Sequence, residues 1–171
     1  MYLSARSDAS LRHPGAGVAG EAWLIFSPDV KIDDELVESF AANIYFGEQG
    51  CRHPEAAELA GVTAAAWLAR SLTIHKKCKE IYKEYPLQRA ILYTDSMAVA
   101  SGRLRGRQLE FYRWEFQRQH GIPLEMQWLS RKDDWMQPPH EASREARNLS
   151  LSDGAEVGYI SSREVPDLPL L

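Results

Sequence analysis

Apolar and polar positions along the first 47 residues follow the short, alternating pattern of strands. Residues 2–8 and 21–30 are each predicted to form a strand, and aromatic and β-branched content predicts a third over 36–47. The stretch ASLRHPGAGVAG, between the first two, is rich in Gly and Pro and predicts a turn region. The chain is therefore expected to begin as an antiparallel meander.

The spacing of apolar residues becomes helical after the segment EQGCRH. Pro54 suits the first position of a helix, and Glu55 and Glu58 suit its first turns. Apolar residues recur at helical spacing from Leu59 to Ile74, and Pro86 is expected to end the helix. One long helix is thus predicted between the meander and the rest of the chain.

The second half of the chain alternates predicted strands with predicted helices. They are a strand over RAILYTD, a helix from Ser96 that breaks near residues 102–106, a helix over RQLEFYRWEFQRQH that stops at Gly121, a strand over IPLEMQWLS and a closing helix over PPHEASREARNL. The order β-β-β-α-β-α-β-α predicts an α/β fold: a mixed five-stranded sheet, three antiparallel strands first, with helices on both faces. We assign residues 1–149 to this domain and residues 150–171 to an extended C-terminal tail.

Length and composition limit the class of protein. The 171 residues, 44% hydrophobic and 26% charged, are enough for one domain with a sizeable core. The longest uncharged apolar-leaning stretch, Leu59–Ala69, is too short to span a bilayer, and polar residues follow the first Met at once, without a signal segment. Cys51 and Cys78 lack metal-ligand spacing, so a reducing, cytoplasmic location without a membrane partner is expected.

Charge is distributed unevenly along the chain. A net charge of −4 argues mildly against a protein whose whole surface coats nucleic acid. Five arginines nevertheless fall within sixteen residues and indicate a local basic face: Arg103, Arg105, Arg107, Arg113 and Arg118. Interleaved glutamates leave a second interpretation open, in which these are solvated helix faces with no binding role.

Three acidic residues stand at the ends of predicted elements. Asp95 follows the apolar run Ile91–Tyr93, Asp8 precedes the turn region, and Glu58 lies near the start of the first helix. Each has an ordinary structural role available: a turn residue for Asp8, a partner of the helix dipole for Glu58 and an N-cap for Asp95. The alternative is that their carboxylates converge on one site.

The element order and the motifs around these acids resemble the ribonuclease H family over residues 2–149. SDASLRHPGAGVAGEAWLIF is similar to the family's first hairpin, PEAAELAGVTAAAWLA to its first helix, and ILYTDSMAVASGRL to its fourth strand and the turn beyond. The resemblance implies that Asp8, Glu58 and Asp95 are catalytic metal ligands. The chain departs from the family in two places: Ala9 stands where glycine is commoner, and Pro54 and Glu55 stand where the family usually has a pair of asparagines before the first helix.

The resemblance implies a metal-dependent endonuclease that hydrolyses the RNA strand of RNA–DNA hybrids. In a two-metal-ion mechanism, two Mg²⁺ or Mn²⁺ ions about 3.5–4 Å apart activate water and stabilise the leaving oxygen, and clustered hard oxygen ligands hold them. The expected partner is an RNA–DNA hybrid or another nucleic acid. Two alternatives stay open: an RNase H-fold nuclease acting on DNA or structured RNA, and a catalytically weak nucleic-acid-binding module that kept the fold.

The family also has a fourth ligand, generally Asp, in the first turns of its last helix, where this chain has none. Aligning ASREA with the family's usual run places His140 there, and a shift of one residue places Glu141 there. Another register leaves Ser143. A neutral imidazole binds Mn²⁺ and, less well, Mg²⁺. Asp133 and Asp134, in the preceding loop, are fallback ligands.

Residues expected to touch nucleic acid follow from the same resemblance. They are Ser10, Arg12, His13 and Ser96 near the acids, and Arg103, Arg105 and Arg107 in place of the family's longer basic loop. The choice between RNA and DNA depends on contacts to the 2′-hydroxyl, and the sequence assigns these to no residue.

Overall fold

The structure is a computed structural model that describes residues 1–12, 15–25, 36–45, 54–74, 86–149 and 159–160. The strands within these ranges are β1 (Tyr2–Arg12), β2 (Gly15–Ile25), β3 (Leu36–Tyr45), β4 (Arg89–Thr94), β5 (Leu124–Trp128) and β6 (Tyr159–Ile160). The helices are α1 (Pro54–Ile74), α2 (Met97–Ala100), α3 (Arg107–His120) and α4 (Gln137–Leu149), with a 3-10 helix over Asp134–Met136 before α4. None of these described helices has the length and apolar character needed to cross a bilayer.

The strands form one mixed sheet in the order β5-β4-β1-β2-β3-β6. β1 lies inside the sheet, antiparallel to β2 and parallel to β4. β3 continues the antiparallel side and β5 continues the parallel side. The predicted α/β fold, with five mixed strands of which the first three are antiparallel, is confirmed.

A two-residue strand that the sequence pattern does not predict extends this sheet. β6 pairs antiparallel with Ala41 and Ala42 of β3. It belongs to segment 150–171, whose other residues lie outside the described part of the chain. Two residues are too few to show the alternation of apolar and polar side chains that predicts a strand. They pair with β3 because the edge of a strand offers unpaired backbone groups to an extended segment nearby.

The first hairpin is longer than the pattern predicts. β1 continues to Arg12 and β2 already begins at Gly15, so most of the Gly- and Pro-rich stretch that the pattern predicts as a turn is strand, and the two residues between these strands lie outside the described residues. Small residues in a strand weaken its pattern but admit close packing of another backbone. Residues 26–30 of the predicted second strand and 75–85 of the predicted long helix lie outside the described residues.

Helices pack against opposite faces of the β1–β2 pair. A side chain at Gly17 would strike the backbone of α4, whereas Gly61 of α1 faces Val18 and the backbone of Asp8. Neighbouring residues of a strand point to opposite faces, so Gly17 and Val18 place α4 and α1 on different sides. The prediction of helices on both faces is confirmed.

The face of β1 under α4 carries a buried polar row. Arg6, Asp8 and Ser10 alternate along it, and all three are buried. The Arg6 guanidinium lies 4.5 Å from the ring centroid of Trp23 and 4.6 Å from that of Trp135, and it donates a hydrogen bond to the Trp135 carbonyl oxygen. These contacts hold the 3-10 helix before α4 against β1 and β2, one position away from Asp8 on the same face.

Candidate active site

Asp8, Glu58 and Asp95 meet at the carboxyl end of β4. Ser7 of β1 pairs with Thr94 of β4 in the parallel register, so the residues that follow them, Asp8 and Asp95, are neighbours. Glu58 reaches the same place from the early turns of α1. One carboxylate oxygen from each residue lies within 4.8 Å of the others. The structure therefore brings together the three acids that the sequence analysis singles out.

Asp8 is buried, Glu58 and Asp95 are largely buried, and the cluster is incompletely hydrogen-bonded. Asp8 is 1% exposed, and the side chains of Glu58 and Asp95 are 13% and 8% exposed. Among the described residues, Oε2 of Glu58 and Oδ1 of Asp95 are buried without a hydrogen-bond partner. Buried carboxylates of like charge destabilise one another and need cations or protons.

Burial and mutual repulsion act on the acidity of the cluster. Burial first, and then the charges of Asp95 and Asp8, raise the pKa of Glu58 to about 9 in spite of the opposing charge of Arg131. Burial also raises the pKa of Asp95, with the charge of Asp8 as the next cause. In the metal-free protein the cluster therefore tends to hold a proton that the unfolded chain would release.

This shift predicts a pH dependence of stability in the metal-free protein. Between pH 4.5, the ordinary pKa of Glu58, and about 9, its folded value, the unfolded chain has lost the proton and the folded protein keeps it. Raising the pH through this window should therefore lower the free energy of unfolding. Denaturant unfolding of wild type and Glu58→Gln in EDTA, at several pH values, measures the contribution of Glu58 to the free energy of unfolding. If the difference in free energy between the two proteins does not change with pH across this window, Glu58 is ionised in the folded protein.

One cation contacts all three carboxylates. Arg131 follows β5 in the loop before α4; its Nη2 lies 3.2 Å from Oδ1 of Asp8 and 3.3 Å from Oε1 of Glu58, and its Nε lies 2.6 Å from Oδ2 of Asp95. Its side chain is 48% exposed, so the guanidinium reaches the acids from the solvent side. Sequence reasoning misses it because a single Arg in a polar loop has no pattern.

Asp8 is held from the other side by α4. Nδ1 of His140 lies 2.9 Å from Oδ2 of Asp8, and Oγ of Ser143 donates a hydrogen bond of 3.0 Å to the same oxygen. Two of the three candidates for the fourth position thus contact the cluster. Glu141 is exposed and, among the described residues, does not belong to the group of carboxylates that lie within 4.8 Å of one another.

A cleft of about 330 Å³ opens beside the cluster, lined by Ser10, Glu58, Arg131, His140, Arg144 and Arg147 among others. Nη1 of Arg147 donates a hydrogen bond of 2.8 Å to Oγ of Ser10. A cleft that combines a carboxylate cluster with several arginines has the charges needed to bind a metal ion and a phosphate together.

The remaining nucleic-acid candidates are placed in part. His13 and the side chain of Arg12 lie outside the described residues. The backbone N–H of Ser96, half-buried beside Asp95, donates to Oγ1 of Thr94. Asp133, a fallback ligand, instead accepts a hydrogen bond from the backbone N–H of Trp135.

The three arginines around the start of α3 are exposed: Arg103 and Arg105 precede the helix and Arg107 is its first residue. Gly106, between them, packs against the side chain of Leu59, so this segment lies beside the early part of α1. Asp134, the other fallback ligand, is exposed in the 3-10 helix.

Solved structures share this architecture at low sequence identity. The N-terminal RNase H domain of a Mycobacterium tuberculosis protein, solved as a fusion with maltose-binding protein, matches with a TM-score of 0.52 and 15% identity over 90% of this chain and 99% of that chain. LC11-RNase H1 in complex with an RNA/DNA hybrid matches with a TM-score of 0.52 and 14% identity over 88% and 99%. The chain has an RNase H-like fold. No family model and no curated protein matches the sequence.

Within this RNase H-like fold, the donor set of the cluster fits a hard divalent cation. All the converging ligand atoms are carboxylate oxygens, the donors that Mg²⁺ and Mn²⁺ prefer. The partnerless oxygens of Glu58 and Asp95 are available to such an ion. Asp8, Glu58 and Asp95 are therefore the residues that would hold it.

Proposed function

We propose that the protein is a metal-dependent endonuclease that hydrolyses the RNA strand of RNA–DNA hybrids by a two-metal-ion mechanism. The observation that carries this proposal is the convergence of Asp8, Glu58 and Asp95 within 4.8 Å in an RNase H-like fold. Three largely buried acids repel one another and share a single half-exposed guanidinium among the described residues, so the cluster suits metal ligands better than a purely structural role. Bound Mg²⁺ or Mn²⁺ would supply an activated water and charge stabilisation at the phosphate.

The residues of this chain prepare Asp8 for ligation. His140 and Ser143 both contact Oδ2 of Asp8, and these two contacts fix the plane of the carboxylate. The other oxygen, Oδ1, faces Arg131 and the other two acids. Ligands held by surrounding hydrogen bonds lose less freedom when they bind a metal. We assign His140 the fourth ligand position and Ser143 the role of positioning Asp8.

The proposed substrate rests on charge and on one structural neighbour. LC11-RNase H1 is solved with an RNA/DNA hybrid. In this chain, exposed Arg103, Arg105 and Arg107 beside α1, and Arg144 in the cleft, offer phosphate contacts around the acids. These groups give a protein of net charge −4 a local surface for a nucleic-acid backbone.

The nature of the fourth ligand predicts a metal preference. Imidazole nitrogen favours Mn²⁺ over Mg²⁺ more than carboxylate oxygen does, so we expect faster cleavage in Mn²⁺. His140→Asp should shift the preference towards Mg²⁺, and His140→Ala should reduce turnover about tenfold to a hundredfold while substrate affinity changes little. Rates and affinities in each metal measure both effects.

Glu141→Gln is the matched control for these variants. Glu141 is the exposed neighbour of His140, and its replacement should leave the rate and the metal preference unchanged. If Glu141→Gln were inactive and His140→Ala neutral, the ligand register would be shifted by one residue. If both were neutral, the fourth position would hold no ligand.

A substrate and metal panel tests the proposed function. End-labelled RNA–DNA hybrid, double-stranded RNA, single-stranded RNA and DNA are incubated with Mg²⁺, Mn²⁺ or EDTA, beside an Asp95→Asn preparation that controls for contaminating nucleases. We expect internal cuts in the RNA strand of the hybrid only with metal. Cleavage of DNA or structured RNA alone would favour the second enzymatic alternative, and metal-dependent binding without cleavage would favour the binding module.

Two further expectations stay predictions. The location in the cytoplasm rests on cysteine usage, and the division into a domain of residues 1–149 and a tail of residues 150–171 rests on loss of periodicity. Truncation after residue 149 tests the division, since an independent domain would keep its cooperative unfolding.

A further inference from the structure

Arg131 lies where a cation bound by the cluster would lie. Its Nη2 bridges Asp8 and Glu58, and its Nε contacts Asp95, so one guanidinium uses an oxygen of each acid. A Mg²⁺ ion binds carboxylate oxygens at about 2.0–2.1 Å. A divalent ion held by the three carboxylates, through these oxygens or through the partnerless ones, would lie close to the guanidinium, and the two positive charges would repel each other.

Arg131 lies between the cluster and solvent, in the wall of the cleft. It belongs to the loop between β5 and the 3-10 helix, its side chain is 48% exposed, and it lines the cleft beside the acids. Arg144 and Arg147 line the same cleft, so a phosphate that enters it meets several guanidinium groups. Guanidinium binds phosphate oxygens through the same paired hydrogen bonds that it makes with carboxylates.

We propose that Arg131 is an internal counter-ion that competes with divalent metal for the carboxylates and passes to a substrate phosphate when metal displaces it. The inference rests on the proposed function, since it assigns Arg131 as a substrate-binding residue of that site. In the metal-free protein the guanidinium neutralises part of the cluster charge. After metal binds, the phosphodiester provides the partner that the guanidinium has lost, so metal and nucleic acid favour each other's binding.

Replacing Arg131 should therefore change the affinity for metal and the affinity for nucleic acid in opposite directions. Arg131→Ala should bind Mn²⁺ about tenfold more tightly than wild type, because no guanidinium has to be displaced. The same variant should bind nucleic acid about tenfold more weakly in saturating Mn²⁺, because a phosphate contact is missing. A residue that only maintains the fold would weaken both interactions when it is removed.

The experiment measures each affinity separately. Mn²⁺ binding without nucleic acid is followed by calorimetry, and binding of a hybrid with a cleavage-resistant 2′-O-methyl RNA strand by fluorescence anisotropy. Arg144→Ala is the matched control: it removes an arginine of the same cleft that forms no ion pair with the three acids among the described residues. It should weaken hybrid binding and leave Mn²⁺ affinity unchanged. Arg131→Lys, which keeps the charge without the fork, should give an intermediate Mn²⁺ affinity.

The outcomes separate this inference from the proposed function. Mn²⁺ affinity that is unchanged or reduced in Arg131→Ala, with normal binding in wild type, would overturn the role of Arg131 and leave the metal centre standing. Absence of Mn²⁺ binding in wild type and every Arg131 variant would overturn the metal centre itself. If Arg131→Ala does not fold, Arg131→Gln, which keeps donors without the charge, provides the same comparison.

Discussion

Asp95→Asn is expected to lower divalent-dependent cleavage by about a thousandfold or more while leaving the fold intact. The substitution keeps the shape of the side chain and removes the charge of one of the three converging ligands. The amide keeps one neutral carbonyl oxygen, but it lacks the negative charge and replaces the other carboxylate oxygen with an NH₂ group that cannot ligate a metal ion. A rate measured on the RNA–DNA hybrid in Mg²⁺ and in Mn²⁺ checks the expectation.

Stability measurements separate loss of ligation from loss of structure. Asp95 is repelled by Asp8 and its pKa is raised mainly by burial, so the neutral amide should leave the metal-free protein as stable as wild type or more so. Asp134→Asn, at an exposed acid of the 3-10 helix, is the matched control and should cleave at the wild-type rate. A fully active Asp95→Asn enzyme would refute the assignment of this residue.

The sequence predicts two of the acids well because each stands near the boundary of an element with a clear pattern, whereas Asp8, expected at the end of the first strand, lies inside β1. Asp95 ends a buried strand, and Glu58 lies in the early turns of a helix whose first residue is Pro54. Once the order of the strands is known, parallel pairing of β1 with β4 requires Asp8 and Asp95 to be neighbours. Local pattern marks these positions as candidates, and the resemblance to the ribonuclease H family supplies the strand order that predicts their convergence.

The groups that surround the acids depend on packing that has no local pattern. Arg131 lies in a loop, and only the path from β5 to α4 brings it to the cluster. Ser143 is one of three candidates for the fourth position in the last helix, and its contact with Asp8 depends on how α4 is rotated above β1. The periodicity of apolar residues locates a helix, but it does not show which of the helix's polar residues will face the polar row of β1.

The first hairpin shows why a stretch of small residues is wrongly predicted as a turn. GAGVAG has the composition of a turn, yet it forms strand β2 between two helices. Ala16, Val18 and Ala19 are buried there, and Gly17 lies directly under α4. The residues that resemble a flexible turn are small because a helix backbone must approach the sheet closely.

Gly17→Ala should therefore be among the most damaging single substitutions outside the acids. A β-carbon at this position would lie 1.9 Å from the carbonyl oxygen of Ser143 and 2.4 Å from the backbone nitrogen of Arg147. Backbone atoms of a helix cannot rotate aside, so α4 must move away from β2. We expect a loss of about 3 kcal/mol in the free energy of unfolding, at the upper end of overpacking effects.

The displacement of α4 also couples this position to the site. His140 and Ser143 contact Asp8 from α4, so moving the helix should lengthen both contacts and slow cleavage even where the variant remains folded. Gly61→Ala is the matched control: its β-carbon would lie 3.3 Å from the Asp8 carbonyl oxygen, and about 1 kcal/mol of helix propensity offsets that tightness. Denaturant unfolding and hybrid cleavage of both variants test the argument, and a Gly17→Ala protein as stable as Gly61→Ala would show that α4 does not press on β2.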